Sequence, residues 1–121
     1  MSMRTAYVAG TVVSLVLHVA LGWVWSVLGA VLAGSLTNRL GALVGATSMV
    51  LAWGLAILYS FMTAPGETVE MARVVAALLG NLPSPVTVAL TLFIAAALGL
   101  TGGWFGSTLR TLVYHGQRTD T

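Results

Sequence analysis

Three long stretches without a charged side chain divide the chain, and short polar clusters punctuate them. The first apolar run extends from about Tyr7 to Leu36, the second from about Leu40 to Met62 and the third from about Val86 to Leu109. A hydrocarbon core of ~30 Å takes about 20 residues at helical rise, so each run is long enough to cross it. Gly10, Gly22, Gly29 and Gly34 interrupt the first run, but glycine is frequent in membrane helices, and the pattern predicts one long, tilted helix there. Thr37, Asn38 and Arg39 form a polar link to the second helix, which makes a tight hairpin. Pro65-Gly66 closes that second helix because proline cannot continue it.

The stretch from Glu67 to Gly80 has a different pattern. Glu70, Arg73 and Ala77 share one face at helical spacing, and Met71, Val74, Val75, Leu78 and Leu79 cover the rest. About 14 residues reach only some two thirds of the hydrocarbon core, and Asn81-Leu82-Pro83-Ser84-Pro85 then breaks the chain. Such a segment either lies in the membrane interface with its charges to water, or enters as a re-entrant half-helix whose freed backbone groups are buried in protein or wet. The expected fold is therefore an all-α integral membrane protein. It has three transmembrane helices plus a short amphipathic interfacial or re-entrant helix, in a single bundle over residues 1–121.

Three crossings put the termini on opposite sides. Arg39, Arg110 and Arg118 then share one side and Arg4 and Arg73 the other, so the positive-inside rule favours N-terminus out and C-terminus in.

Composition narrows the function. Of 121 residues 58% are hydrophobic and 7% charged, against roughly a quarter charged in a soluble domain. The net charge of +2 is too small and scattered for a nucleic-acid footprint. Absence of cysteine excludes disulfides, thiolate metal sites and cysteine nucleophiles. All five basic residues are arginine, which suggests a genome biased toward GC-rich codons and identifies no organism. The expected location is a membrane crossed several times, the cytoplasmic membrane of a prokaryote. The run after Arg4 exceeds the roughly 7 to 15 residues of a signal-peptide core, so it reads as a retained span.

Helices in lipid associate through small residues that let backbones approach and through interhelical hydrogen bonds. Small or polar residues recur at steps of four in every run: Ser14, His18, Gly22, Ser26, Ala30 and Gly34, then Ser48, Ala52, Ala56 and Ser60, then Ala95, Gly99, Gly103 and Ser107. Gly41 and Gly45 add a further pair. The predicted packing residues are Ser14, Gly22, Ser26, Gly34, Gly41, Gly45, Ala52, Ala56, Gly99, Gly103 and Ser107. These faces either close one bundle or present a groove to other copies of the chain or to another membrane subunit.

His18 is the one ionisable residue expected deep inside a span, and an intramembrane ionisable group is a functional candidate by default. It could ligate haem, hydrogen-bond a quinone or handle protons, or it could be a neutral imidazole bonded to a serine or a carbonyl. His115, beyond the end of another span, is poorly placed as a second haem ligand. Tyr7, Tyr59, Trp104 and Tyr114 fall near predicted span ends, as interfacial aromatics do, whereas Trp23, Trp25 and Trp53 are predicted deeper. Glu67 and Glu70 beside Arg73 read as a solvated patch. No nucleotide or hydrolase motif is present, and the glycines of residues 99–106 have no lysine to complete a phosphate loop.

The function expected is a non-enzymatic small membrane protein acting by helix packing, as an accessory subunit or a homo-oligomer. The alternatives are a homo-oligomeric, holin-like pore for ions or small solutes, and a haem- or quinone-binding anchor of a redox complex at His18. The sequence names no cofactor.

Overall fold

The computed structural model describes residues 2–37 and 40–116 and is helical throughout, with no strand among the described residues. Five α-helices follow one another: α1 Met3–Leu21, α2 Val27–Ser35, α3 Gly41–Thr63, α4 Pro65–Leu78 and α5 Ser84–Gly116. A short 3-10 turn, Trp23–Ser26, precedes α2. The helices α1, α3 and α5 are long and apolar enough to cross a membrane, and the apolar segment Trp23–Ser35 is shorter.

The first apolar run is not one helix. It turns back at Gly22, whose φ of 101° and ψ of 169° lie in a region that a side chain makes strongly unfavourable. With its helix ended there, α1 runs 19 residues in one direction and α2 returns along it. Gly10 of α1 meets Ala33 of α2, and Ser14 meets Gly29, so the two helices are antiparallel. The Ser14 hydroxyl ties the hairpin by donating to the Ser26 carbonyl at 2.9 Å.

Small residues set the remaining contacts. A Cβ on Gly99 would lie 2.6 Å from the Ala46 Cα, and one on Gly45 would lie 2.7 Å from the Gly103 Cα, so α3 and α5 touch backbone to backbone. The pairs Gly41–Ser107 and Gly45–Gly99 run in opposite directions along these two helices, making them antiparallel. Gly102 meets Val27 and Ala30, and Gly106 meets Val31 and Ser35, so α2 lies parallel to α5. Gly10 also approaches Ser48, and the His18 ring stands 5.5 Å from that of Trp53, which sets α1 parallel to α3.

Small side chains dominate the interior, with Ala30, Met49, Ala52, Trp53 and Ala95 in one cluster and Ala6, Ala33 and Val44 in another. The outer stripe of α1 is aliphatic, Val8, Val12, Val16 and Val19, while Ala6, Gly10 and Ser14 face inward. A soluble helix has the opposite pattern.

These directions alter the expected topology. The start of α1 and the end of α5 lie at the same end of the bundle: Ala6 packs with Ala33 and Leu36, and Arg110 donates from Nη1 to the Ser35 carbonyl at 3.2 Å. That places a cation on the carbonyl end of α2, where the helix dipole favours it. The helix α5 continues past Arg110 to Gly116, beyond the end expected near Leu109, and Arg110 lies over the Tyr114 ring at 5.4 Å. At the opposite end, Thr68 of α4 clips the α3–α4 corner by donating to the Ser60 and Ala64 carbonyls at 3.0 and 2.7 Å. The amphipathic helix begins at Pro65, a favoured first-turn position for proline, and ends in a turn through Gly80 and Asn81, both with positive φ. Its Glu70–Arg73 pair, at 2.7 Å, is exposed.

Candidate functional site

The turn at Gly22 moves the first candidate residue. His18 sits in the last turn of α1, one turn from the hairpin, instead of mid-way along a long helix. Trp23 and Trp25, expected deep in a span, lie at the hairpin turn and are exposed, as is Tyr59 on α3. Trp104 and Tyr114 lie exposed on α5 toward the opposite end. The tryptophans and tyrosines thus gather near the two bundle ends, the distribution that head-group belts impose. Trp53 is the exception, at 8% exposed, and its Nε1–H donates to the Ser26 hydroxyl at 3.2 Å. Ser26 in turn donates to the Trp23 carbonyl and accepts Ser14 on its own carbonyl, so the hairpin turn and the Trp53 ring form one bonded unit. The rings of His18 and Trp23 both stand edge-on to Trp53, at 63° and 83° with centroids 5.5 and 6.4 Å away.

Beside this cluster opens a cavity of about 760 Å³. Its walls are His18 and Trp23 from the hairpin, Trp53, Ala56, Ile57 and Ser60 from α3, Val75 from α4, and Thr91 and Ile94 from α5. A second cavity of about 370 Å³ lies between α3, α4 and α5 and shares Ile57, Ser60, Val75 and Thr91 with the first. The two make one cleft with α4 along its side: Thr68, Met71, Ala72 and Val75, at helical spacing, face into it, and Glu67 stands at its edge.

The polar groups of the cleft fall into two sets. Ser60 and Thr91 bond the carbonyls of Ala56 and Thr87 in their own helices, at 3.0 and 2.9 Å, and have no donor to spare. Thr87, 5% exposed, has no partner for its hydroxyl, and His18 has none for its Nδ1; both atoms are covered by protein and do not open onto the cleft. Sequence reasoning passed over Thr87, which no motif or spacing singles out.

The predicted packing residues divide differently. Gly34, Gly41, Gly45, Gly99, Gly103 and Ser107 meet where α2, α3 and α5 touch, and Ser14 and Ser26 join the two arms of the hairpin. Ala52 is in the core, while Ala56 lines the cleft. Gly22 packs against nothing: a Cβ there would meet no atom within 4 Å, and the residue serves the turn.

No group of three metal-ligating side chains occurs among the described residues. His115 bonds the Thr111 carbonyl at 2.9 Å on α5, roughly 30 Å of helix beyond the Ile94 that faces the His18 cavity, so the two histidines do not converge. Compared with known proteins, the chain matches no protein family, no curated protein and no solved structure.

Proposed function

We propose that the protein is a non-enzymatic, multi-pass accessory subunit of a prokaryotic cytoplasmic membrane that holds a lipid-soluble ligand in the cleft between the α1–α2 hairpin, α3, α4 and α5. The observation that carries this reading is a mostly apolar cleft of two adjoining cavities, walled at one side by the His18, Trp23 and Trp53 rings. Concave sites lined by apolar and aromatic side chains with a few polar groups are where small molecules bind. The small-residue faces that motivated a homo-oligomer or a pore are occupied within one chain, chiefly by the α2, α3 and α5 contacts, which leaves less of them for other copies. Enzymes and ion-coupled transporters place several ionisable groups inside the bundle; here His18 alone lines the cleft from within a span, with Glu67 at its edge.

Orientation follows from charge. Arg4 and Arg110 lie at one end of the bundle, and the sequence adds Arg39 between α2 and α3 and Arg118 after α5; the α4 end has Arg73 with Glu67 and Glu70. The positive-inside rule then puts the start of α1 and the end of α5 in the cytoplasm and the cleft toward the outer side. The test is organic extraction of protein purified in mild detergent from its native membrane, followed by mass spectrometry. A neutral lipophile near one copy per chain is expected. Only bulk lipid, together with dye leakage from liposomes carrying the protein, would favour the pore instead.

A further inference from the structure

We infer that the crook between the end of α2 and the last turns of α5 binds the head group of an anionic phospholipid. This site is separate from the cleft and lies at the other end of the bundle.

One stripe of α5 builds it. Gly102, Gly106, Arg110 and Tyr114 recur at steps of four and so share a face. The two glycines let α2 lie against them, Gly102 at Val27 and Ala30 and Gly106 at Val31 and Ser35. The helix α2 ends at Ser35 whereas α5 continues to Gly116, so the two large members of the stripe stand where the partner helix has stopped. A cavity of about 400 Å³ opens there, lined by Ser35, Leu36, Leu109, Arg110, Val113 and Tyr114.

The lining selects the ligand. Arg110 is half-buried and fixed in place: Nη1 donates to the Ser35 carbonyl at 3.2 Å, and the guanidinium carbon lies 5.4 Å from the centre of the Tyr114 ring. A guanidinium has five N–H donors, so most of them are left for a guest. The Ser35 hydroxyl is occupied, donating to the Leu32 carbonyl at 2.7 Å. No carboxylate lines the cavity, and the Glu70–Arg73 pair belongs to α4 at the opposite end. Among the described residues the site is therefore a held cation without a counter-ion. Its complement is an anion rich in acceptor oxygens, and a phosphate matches the guanidinium fork in bidentate geometry. Leu36, Leu109 and Val113 then decide between a free phosphate and a lipid. These walls cannot solvate a small hydrated anion, but they suit the glycerol and first methylenes of acyl chains. Depth agrees, since tyrosine and arginine at the end of a membrane bundle stand at head-group level, where basic pockets between helices take anionic lipids.

The experiment is native mass spectrometry of the purified full chain, titrated in an uncharged detergent with phosphatidylglycerol and, in parallel, with phosphatidylcholine. It counts bound lipids and gives the affinity of the first. A single phosphatidylglycerol is expected to saturate first and to bind severalfold tighter than phosphatidylcholine. Arg110→Gln is expected to weaken it by roughly tenfold, the loss of a charge-assisted pair, and to remove the preference between the two lipids. Arg110→Lys, which keeps the charge but not the fork, retains part of the affinity. Val113→Trp fills the cavity with Arg110 in place and is expected to weaken binding as well. Arg4→Gln, which removes an exposed cation at the same end of the bundle, is expected to change little. Circular dichroism of each variant shows that it remains folded.

Equal affinity of the unaltered chain for the two lipids overturns the inference. So does a loss in Arg4→Gln as large as that in Arg110→Gln, which would mean attraction to surface charge in general, or undiminished binding in Val113→Trp. Inorganic phosphate added in millimolar excess is expected to leave the lipid bound; displacement would make the crook a soluble-anion site and overturn the lipid assignment.

Discussion

Replacing Gly22 by alanine changes stability in opposite directions according to whether the first apolar run is a hairpin or one continuous helix. In a continuous helix Gly22 would be an interior residue, and alanine there stabilises by about 0.5 to 1 kcal/mol through lower backbone entropy in the unfolded chain. In the hairpin Gly22 has φ 101° and ψ 169°, and nothing lies within 4 Å of where its Cβ would be. The new methyl group therefore gains no contact and meets no neighbour. What it does bring is a backbone conformation that L residues avoid, at about 1 to 3 kcal/mol. The two accounts differ by roughly 1.5 to 4 kcal/mol and in sign. Equilibrium unfolding in mixed micelles, followed by circular dichroism, measures the difference directly. Destabilisation of Gly22→Ala is expected, with the Trp23 and Trp53 emission altered because the turn positions both rings. A variant more stable than the parent would refute the hairpin.

Two further pairs of substitutions test the packing. Gly99→Ala is expected to destabilise by about 1 to 3 kcal/mol, because its Cβ would sit 2.6 Å from the Ala46 Cα and must force α3 from α5; Gly54→Ala, with open space around it, is expected to be neutral or to stabilise by up to ~1 kcal/mol. Thermal unfolding of both in one detergent checks this, and equal effects would mean that the close approach is not there. Ser14→Ala removes the buried bond to the Ser26 carbonyl and is expected to cost about 1 to 3 kcal/mol, since it leaves that carbonyl short of a donor. Ser48, equally buried but without a partner, is expected to be neutral or stabilising on change to alanine, and a loss as large as that at position 14 would show a bond to Ser48.

Much of the architecture was legible because it depends on polarity alone. Three helices long enough for a membrane and the stops at Pro65 and Pro83 follow from where charges and prolines stand, whereas Asn38 and Arg39 of the expected polar link lie outside the described residues. The short amphipathic helix falls at Pro65–Leu78, close to the expected 67–80. The reversal at Gly22 was not read because hydropathy is blind to direction: a returning helix and a continuing one have the same apolar composition. The signal was nevertheless present, in a run of 30 residues from Tyr7 to Leu36 that at ~1.5 Å each exceeds the membrane core by half. Trp23 and Trp25, beside that glycine, are residues that favour the interface. The candidate site was half legible. His18 was visible as an isolated ionisable residue, but its neighbours Trp53, Val75 and Thr91 come from three other helices, and no local spacing brings them to it.

The central claim, a first apolar run folded back on itself, is tested most directly by the sides of the membrane on which the two chain ends lie. Reporter domains fused before Met1 and after Thr121, each active on one side only, read this in intact cells. Both fusions are expected to report the cytoplasm, because α1 and α2 form a return pair and Arg4 lies at the same bundle end as Arg110. Fusions that report opposite sides would restore the three-span topology and contradict the account.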